Sequence, residues 1–146
     1  MLLQNKKAYF DYEIIEPFEA GIELTGAEVK SLRAGGANFA GARVLLKEDG
    51  AYLVGLNIPK YQFASLEKYD PARIRRLLIH RKEIVTIETK MRSASLTLVP
   101  LKLYNKGSLV KVQIALVRGK KKFEKRELIK KRVSNLALAR RLKTNR

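Results

Sequence analysis

Glu19 and three closely spaced arginines are the residues of this sequence whose types best fit recognition of a polyanion. Arg73, Arg75 and Arg76 form a basic run whose guanidinium groups could contact phosphates. Glu19 lies in PFEAG, which we expect to be a short loop between two strands. Its carboxylate is either an acceptor for donors on RNA base edges or a 2′-hydroxyl, or an acid that only forms the turn. Composition alone does not decide between these two uses.

Phe123 lies in a dense run of cations, GKKKFEKR. This setting favours stacking on an exposed base, a contact worth about 1–3 kcal/mol. The alternative is that the ring anchors the C-terminal segment on the folded domain. Phe123 is a candidate functional residue under the first of these readings.

Residue types argue against most classes of catalytic site. The sequence has no Cys and a single His, which excludes Cys-ligated zinc, thiol catalysis and any site with two imidazoles. We interpret His80 as a helix-end or packing residue. Carboxylate pairs such as Glu48 and Asp49 match no hydrolase or nuclease pattern, and no phosphate-binding glycine motif is present. We therefore expect a binding protein without metal or cofactor rather than an enzyme.

Positive charge is concentrated at the C-terminal end. The 146 residues include 31 Lys and Arg against 14 Asp and Glu, a net charge of +17. Residues 118–146 hold 13 of these cations and 2 of these acids. We expect residues 1–117 to form an RNA-binding β-barrel domain. Residues 118–146 should be a basic tail that is disordered alone and helical when bound.

The N-terminus has no apolar core of a secretory signal, and no stretch approaches the ~20 apolar residues of a membrane span. We expect a cytoplasmic monomer that makes no membrane contact.

The hydrophobic pattern predicts short strands with few helices. Strands are expected over 9–16, ended by Pro17, and over 20–25. A short helix should follow Gly26 and stop at Gly35. The acidic-Gly turn EDG predicts a hairpin of residues 42–47 and 51–58.

The second half of the chain is expected to contain a helix and another hairpin. Asp70-Pro71 is typical of a helix start, and apolar spacing predicts one bent helix or two short ones over 72–87. Residues 96–103 and 109–117 should pair as strands, with an edge or a bulge at Pro100. Lys111 lies on the polar face of the last strand. These elements predict a mainly β protein built as a small antiparallel barrel.

Five segments of the sequence form one ordered set of motifs. They are NKKAYFDYEI, FEAGIELTGAEVKSLRAGGANF, YDPARIRRLLIHRKEI, LTLVPLKLY and VKVQIALVRGKKKFEKR. Together they resemble the small protein B (SmpB) family, the SsrA-binding proteins that accompany transfer-messenger RNA (tmRNA). The likeness runs from about Asn5 to Arg126 in a single register, and the pairing of EAGI…GAEVKSLR with GKKKFEKR is highly specific. The turn SAS at 93–95 departs from the glycine common in the family.

The resemblance implies an antiparallel barrel of OB-like topology, with about three helices and a C-terminal tail. It also implies an adaptor that binds the tRNA-like domain of tmRNA and rescues stalled ribosomes. The tail would occupy the decoding centre and the empty mRNA channel as a helix.

The resemblance also assigns roles to individual residues. It places RNA contacts at Asn5, Glu19, Leu78 and Lys111, with the nearby Arg73, Arg75 and Arg76 available for phosphates. It places the decoding-centre contacts of the tail at Gly119, Lys120, Lys121, Phe123, Glu124, Lys125 and Arg126.

Two other functions compete with this one. A ribosomal or general RNA-binding barrel would bind any RNA through charge, without preference for a tRNA-like elbow. An RNA-processing enzyme would need a metal or an acid–base cluster, which the sequence does not offer.

Overall fold

The computed structural model describes residues 1–62 and 69–120. In this part of the chain seven strands and three short helices follow one another. They are β1 (Leu3–Gln4), α1 (Lys6–Asp11), β2 (Tyr12–Ile22), α2 (Gly26–Ala34), β3 (Asn38–Lys47), β4 (Gly50–Asn57), β5 (Arg75–Leu78), α3 (Arg81–Ala94), β6 (Thr97–Lys106) and β7 (Leu109–Gly119).

The strands form one antiparallel sheet in the order β1-β6-β7-β2-β5-β4-β3. The sheet curls until β3 approaches β6, although these two strands are not hydrogen-bonded to each other. The result is a half-barrel, so the expectation of a mainly β, antiparallel, barrel-like fold with about three helices is confirmed.

The main hydrophobic core fills the concave side of the curled sheet. Leu53, Leu103 and Ile114 are fully buried there, and Leu32 from α2 and Ile87 from α3 close the core. A second, smaller cluster lies under α1, where Ala8 packs on the other face of β6 and β7. Both faces of this hairpin are therefore covered near α1, which explains the long apolar run in β7.

Three local predictions are confirmed: the helix that starts at Gly26 and stops at Gly35, the β3–β4 hairpin, and the bulge at Pro100. Helix α2 begins with a capping box, in which Thr25 accepts from the backbone of Glu28 and Glu28 accepts from the backbone of Thr25. It ends at Gly35, whose φ of 88° favours glycine. The β3–β4 hairpin turns between Lys47 and Gly50, and the β6–β7 ladder has a bulge just after Pro100.

The expected break at Pro17 is wrong. Residues 9–11 belong to α1, and β2 then continues through Pro17 to Ile22. At Pro17 the strand has a hydrogen-bonded neighbour on one side only, because β5 pairs with Gly21 and Ile22 alone. Such a position tolerates a residue without an N–H. Glu19 therefore lies in the middle of a strand rather than in a loop.

The helix predicted over 72–87 is also wrong in its first half. The chain forms β5 there, and only then enters α3 at Arg81. Arg75 and Leu77 are buried while Arg76 and Leu78 are exposed, which is the alternation of a strand. Two backbone ladders, to β2 and to β4, outweigh the local helical spacing.

Candidate nucleic-acid interface

One row of residues crosses four strands on the outer face of the sheet. Leu78 of β5 lies opposite Gly21 of β2, Gly21 lies opposite Lys111 of β7, and Lys111 lies opposite Tyr104 of β6. Residues that are directly opposite in antiparallel strands share a face. The row therefore places an exposed leucine, a lysine and a tyrosine side by side.

Gly21 allows the strands to come together in this row. A Cβ at this position would lie 3.2 Å from the Cβ of Leu78, which is tighter than most such contacts. The Leu78 side chain can therefore lie over the glycine and still be 54% exposed. An exposed leucine beside a lysine can pack on a base or a ribose while the ammonium group contacts a phosphate.

Glu19 lies two residues from Gly21 on the same face, opposite Gln113. Its carboxylate accepts hydrogen bonds from two side chains of β6, the hydroxyl of Tyr104 and the ammonium of Lys106 at 3.0 Å. The side chain of Glu19 keeps 41% of its surface exposed. We name Glu19, Tyr104 and Lys106 the acceptor cluster.

The acceptor cluster keeps Glu19 charged. The hydrogen bond from Tyr104, followed by that from Lys106, holds the pKa of the Glu19 carboxyl below its usual value. Partial burial and the same carboxylate raise the pKa of Tyr104 to about 12. At neutral pH the cluster therefore presents an anionic acceptor among cations.

A groove of about 790 Å³ borders the row on the side of β5. It lies between the β3–β4 turn, β5 and the first turns of α3. Arg76, Leu78 and Lys111 line it, together with His80 and Arg81 at the start of α3. The Arg76 guanidinium also donates to the carbonyl of Asp49 at 3.2 Å, which holds it along the groove.

The prediction that Arg75 contacts phosphate is wrong. Its side chain is fully buried and donates to Glu28 and to the carbonyls of Leu56, Arg73 and Pro71. With these partners inside the fold, the guanidinium cannot reach a ligand on the surface.

Arg73 is divided between the interior and the surface. It bonds Glu28 at 2.6 Å and also donates to the carbonyl of Glu23 at 3.3 Å, while its side chain stays partly exposed. Burial favours a raised pKa for Glu28, but the hydrogen bonds from Arg73 and Thr25 and the charge of Arg75 outweigh it. The pKa of Glu28 is consequently lowered.

Asn5 has a structural position. It is buried at the start of α1, where its amide donates to the carbonyl of Pro100 at 2.8 Å and its side-chain oxygen accepts from the backbone of Ala8. These bonds fix α1 against β6. A direct RNA contact by Asn5 remains a prediction.

The predicted tail begins inside the fold. Strand β7 continues to Gly119, which lies opposite Tyr12, so the body extends past the expected boundary at 117. The backbone N–H of Lys120 donates to the carbonyl of Asp11, and its ammonium donates to the carbonyl of Tyr9, both at 3.0 Å. The predicted contacts Lys121, Phe123, Glu124, Lys125 and Arg126 lie outside the described residues.

Sequence reasoning missed Tyr104 and Lys106. The available signal was the alternation in LKLYNK, which places Lys102, Tyr104 and Lys106 on one face of a strand. Their meeting with Glu19 could not be read from this pattern, because it depends on the register of β6, β7 and β2.

Within residues 1–62 and 69–120 no group of three or more His, Cys, Asp or Glu is placed to hold a metal ion. In the same ranges no helix is long and apolar enough to cross a membrane.

Comparison with known proteins agrees with the fold and the motifs. The family model described as SmpB protein matches residues 2–144. The SsrA-binding protein of Thermosipho africanus is 50% identical over 147 residues, covering 100% of this chain and 99% of that protein. The SsrA-binding protein of Thermosipho melanesiensis is 52% identical over 136 residues, covering 92% of each.

A solved structure described as "tmRNA-SmpB: a journey to the center of the bacterial ribosome" is similar to this chain. It is 45% identical with a TM-score of 0.68, and the match covers 82% of this chain and 85% of that one. The resemblance drawn from the sequence motifs is thereby confirmed, and the chain belongs to the SmpB family.

Proposed function

We propose that this chain is an RNA-binding adaptor of trans-translation. It binds the tRNA-like domain of tmRNA and delivers it to ribosomes stalled on messages without a stop codon. The observation that carries this proposal is the outer face of the sheet, where Lys111 lies near the anionic acceptor Glu19 and Arg76 lines the adjoining groove, in a chain about 50% identical to SsrA-binding proteins.

The outer face suits a folded RNA better than an arbitrary polyanion. Lys111 and Arg76 neutralise phosphates, which gives affinity without much discrimination. Glu19 repels phosphates and accepts only from a donor such as a 2′-hydroxyl or a base amino group. One carboxylate at a fixed place among cations therefore selects RNAs that bring a donor to that place.

The tail carries the ribosomal half of the proposed function. The decoding-centre contacts are Gly119 and Lys120 at the end of the body and Lys121, Phe123, Glu124, Lys125 and Arg126 beyond it. The segment after Arg126 enters the empty mRNA channel as a helix. The net positive charge of the tail is complementary to the negatively charged phosphates of ribosomal RNA. The chain acts as a monomer in the cytoplasm and uses no cofactor.

The first test compares three RNAs over a salt series. We expect the full chain to bind the tRNA-like domain of tmRNA more tightly than an ordinary tRNA or a random hairpin, and to keep this preference at high salt. Equal affinities that fall together as salt rises would contradict the adaptor function and favour a general RNA-binding barrel.

A second test separates the tail from the body. Truncation after Lys120 keeps every described strand and helix, including the bonds between Lys120 and α1. We expect the truncated chain to bind the tRNA-like domain and to fail in tagging on stalled ribosomes. Tagging at the full rate would contradict the proposed role of the tail.

A further inference from the structure

We infer that Tyr104 and Lys106 are positioning residues, which hold the Glu19 carboxylate in the orientation that accepts a donor from the bound RNA. This inference rests on the proposed function and deepens it. It assigns the recognition of one RNA donor, a 2′-hydroxyl or a base amino group, to the whole acceptor cluster.

The two donors reach Glu19 from a strand that is not its neighbour. Glu19 lies on β2 opposite Gln113 of β7, and β7 separates it from β6. Tyr104 bonds one carboxylate oxygen and Lys106 bonds the other. Each oxygen is therefore held by its own partner, so rotation of the carboxylate about its last bond would break both contacts.

The restraint leaves capacity for a ligand. An ionised carboxylate offers about four acceptor sites, and the two protein donors fill two of them. Because 41% of the Glu19 side chain is exposed, a ligand can approach this residue from solvent. An RNA donor can then bind without displacing Tyr104 or Lys106.

Preorganisation is the physical benefit of this arrangement. A long exposed side chain loses rotamer freedom when it is fixed by a ligand, and this loss weakens binding. Tyr104 is itself restrained, because it is partly buried and the Lys102 ammonium lies 5.7 Å from the centre of its ring. Much of the ordering is therefore complete before RNA arrives.

A double-mutant cycle between Tyr104→Phe and Glu19→Ala tests the inference in the full chain. Tyr104→Phe removes one hydroxyl and keeps the ring. We expect it to weaken binding to the tRNA-like domain roughly three- to tenfold when Glu19 is present. In the Glu19→Ala background we expect no further loss, and the same holds for Lys106→Met.

Tyr52 offers a matched control. Its hydroxyl donates to Asp49 at 2.6 Å, and the Lys47 ammonium lies 5.2 Å from its ring centre, so it makes the same kinds of contact at the β3–β4 turn. The effects of Tyr52→Phe and Glu19→Ala should be additive. A loss from Tyr104→Phe that persists in the Glu19→Ala background would overturn the inference, because the tyrosine would then act on RNA directly.

A spectroscopic readout without RNA completes the test. The Tyr104 hydrogen bond is the main cause of the lowered pKa of Glu19, so Tyr104→Phe should raise that pKa in a carboxyl-carbon NMR titration. An unchanged pKa would overturn the positioning role.

If wild type prefers the tRNA-like domain and Glu19→Ala binds it normally, the inference fails and the adaptor function stands. If wild type shows no preference among the RNAs, the adaptor function itself fails.

Discussion

Glu19 and Glu28 are two glutamates, each held by two side chains, in opposite environments. Glu28 exposes 2% of its side chain and binds Arg73 and Arg75 inside the fold. Glu19 exposes 41% and binds Tyr104 and Lys106 on the outer face of the sheet. The first pairing joins α2 to the segment around β5, and the second leaves an acceptor open to a ligand.

The contrast shows why residue type alone misassigned Arg75. Removing an arginine and a carboxylate from water is costly unless they pair with each other and fill their hydrogen bonds. Arg75 and Glu28 meet that condition and are unavailable to RNA. Arg76 is the next residue along β5 and points to the other face, where it lines the groove. The two arginines carry the same charge, and it is burial that makes Arg75 a structural residue and leaves Arg76 accessible to a ligand.

The largest expected effect is on the interior pair. Arg75→Met should lower the free energy of unfolding by about 3–5 kcal/mol, because it removes one partner of a buried ion pair and leaves several buried hydrogen-bond acceptors without their donor. Denaturant unfolding measures it. Arg76→Met is the matched control, with an expected change within about 0.5 kcal/mol. Equal changes in the free energy of unfolding of the two variants would contradict the conclusion that Arg75 stabilises the fold and Arg76 does not.

The buried pairing of Glu28 with its arginines should also make the stability of the fold depend on pH. The pKa of Glu28 is lower in the folded chain than its usual value, so its contribution to stability is present above the unfolded-state pKa of about 4.3. It is lost as pH falls through the folded-state pKa. Urea midpoints between pH 6 and pH 3 should show a smaller decline in Glu28→Gln than in wild type. Parallel declines would contradict this assignment.

We expect a substitution on the outer face to weaken RNA binding and to change the free energy of unfolding little. Arg76→Met should weaken binding to the tRNA-like domain roughly threefold and reduce the salt slope by about 0.7–0.9, the value for one phosphate contact. Arg33→Met is the control. Arg33 lies in the last turn of α2. Ser31 of the same helix donates to the carbonyl of Pro59, beyond one end of β4, whereas the groove lies at the other end of β4, roughly 25 Å away along the strand. A similar loss in both variants would indicate only a general charge effect.

The smallest expected effect is that of Glu19 on folding. Glu19→Gln should leave the urea midpoint unchanged, because the carboxylate is exposed and its ion pair is screened by solvent. Measurement beside Glu28→Gln gives the sharpest comparison of the two glutamates. A shift of the urea midpoint as large as that of Glu28→Gln would show that the acceptor cluster stabilises the fold, contrary to this prediction.

Much of the fold could be predicted where local signals and tertiary contacts agree. Helix α2 starts at Gly26 and stops at Gly35 as its residues predict, and the β3–β4 hairpin has its turn. Prediction failed where they disagree. Residues 72–78 have helical spacing, yet the ladders to β2 and β4 make them a strand, and Pro17 stays within β2 because one side of the strand is unpaired.

For the candidate site, the sequence alone determined the family, the excess of cations and the polar face that carries Lys111, because these follow from residue type and strand alternation. The tertiary structure alone decided that Arg75 is interior while Arg76 lines a groove, and that Tyr104 and Lys106 meet Glu19. Burial and contacts across β6, β7 and β2 depend on strand register, which sets residues more than 80 positions apart side by side. No local pattern in the chain encodes that distance.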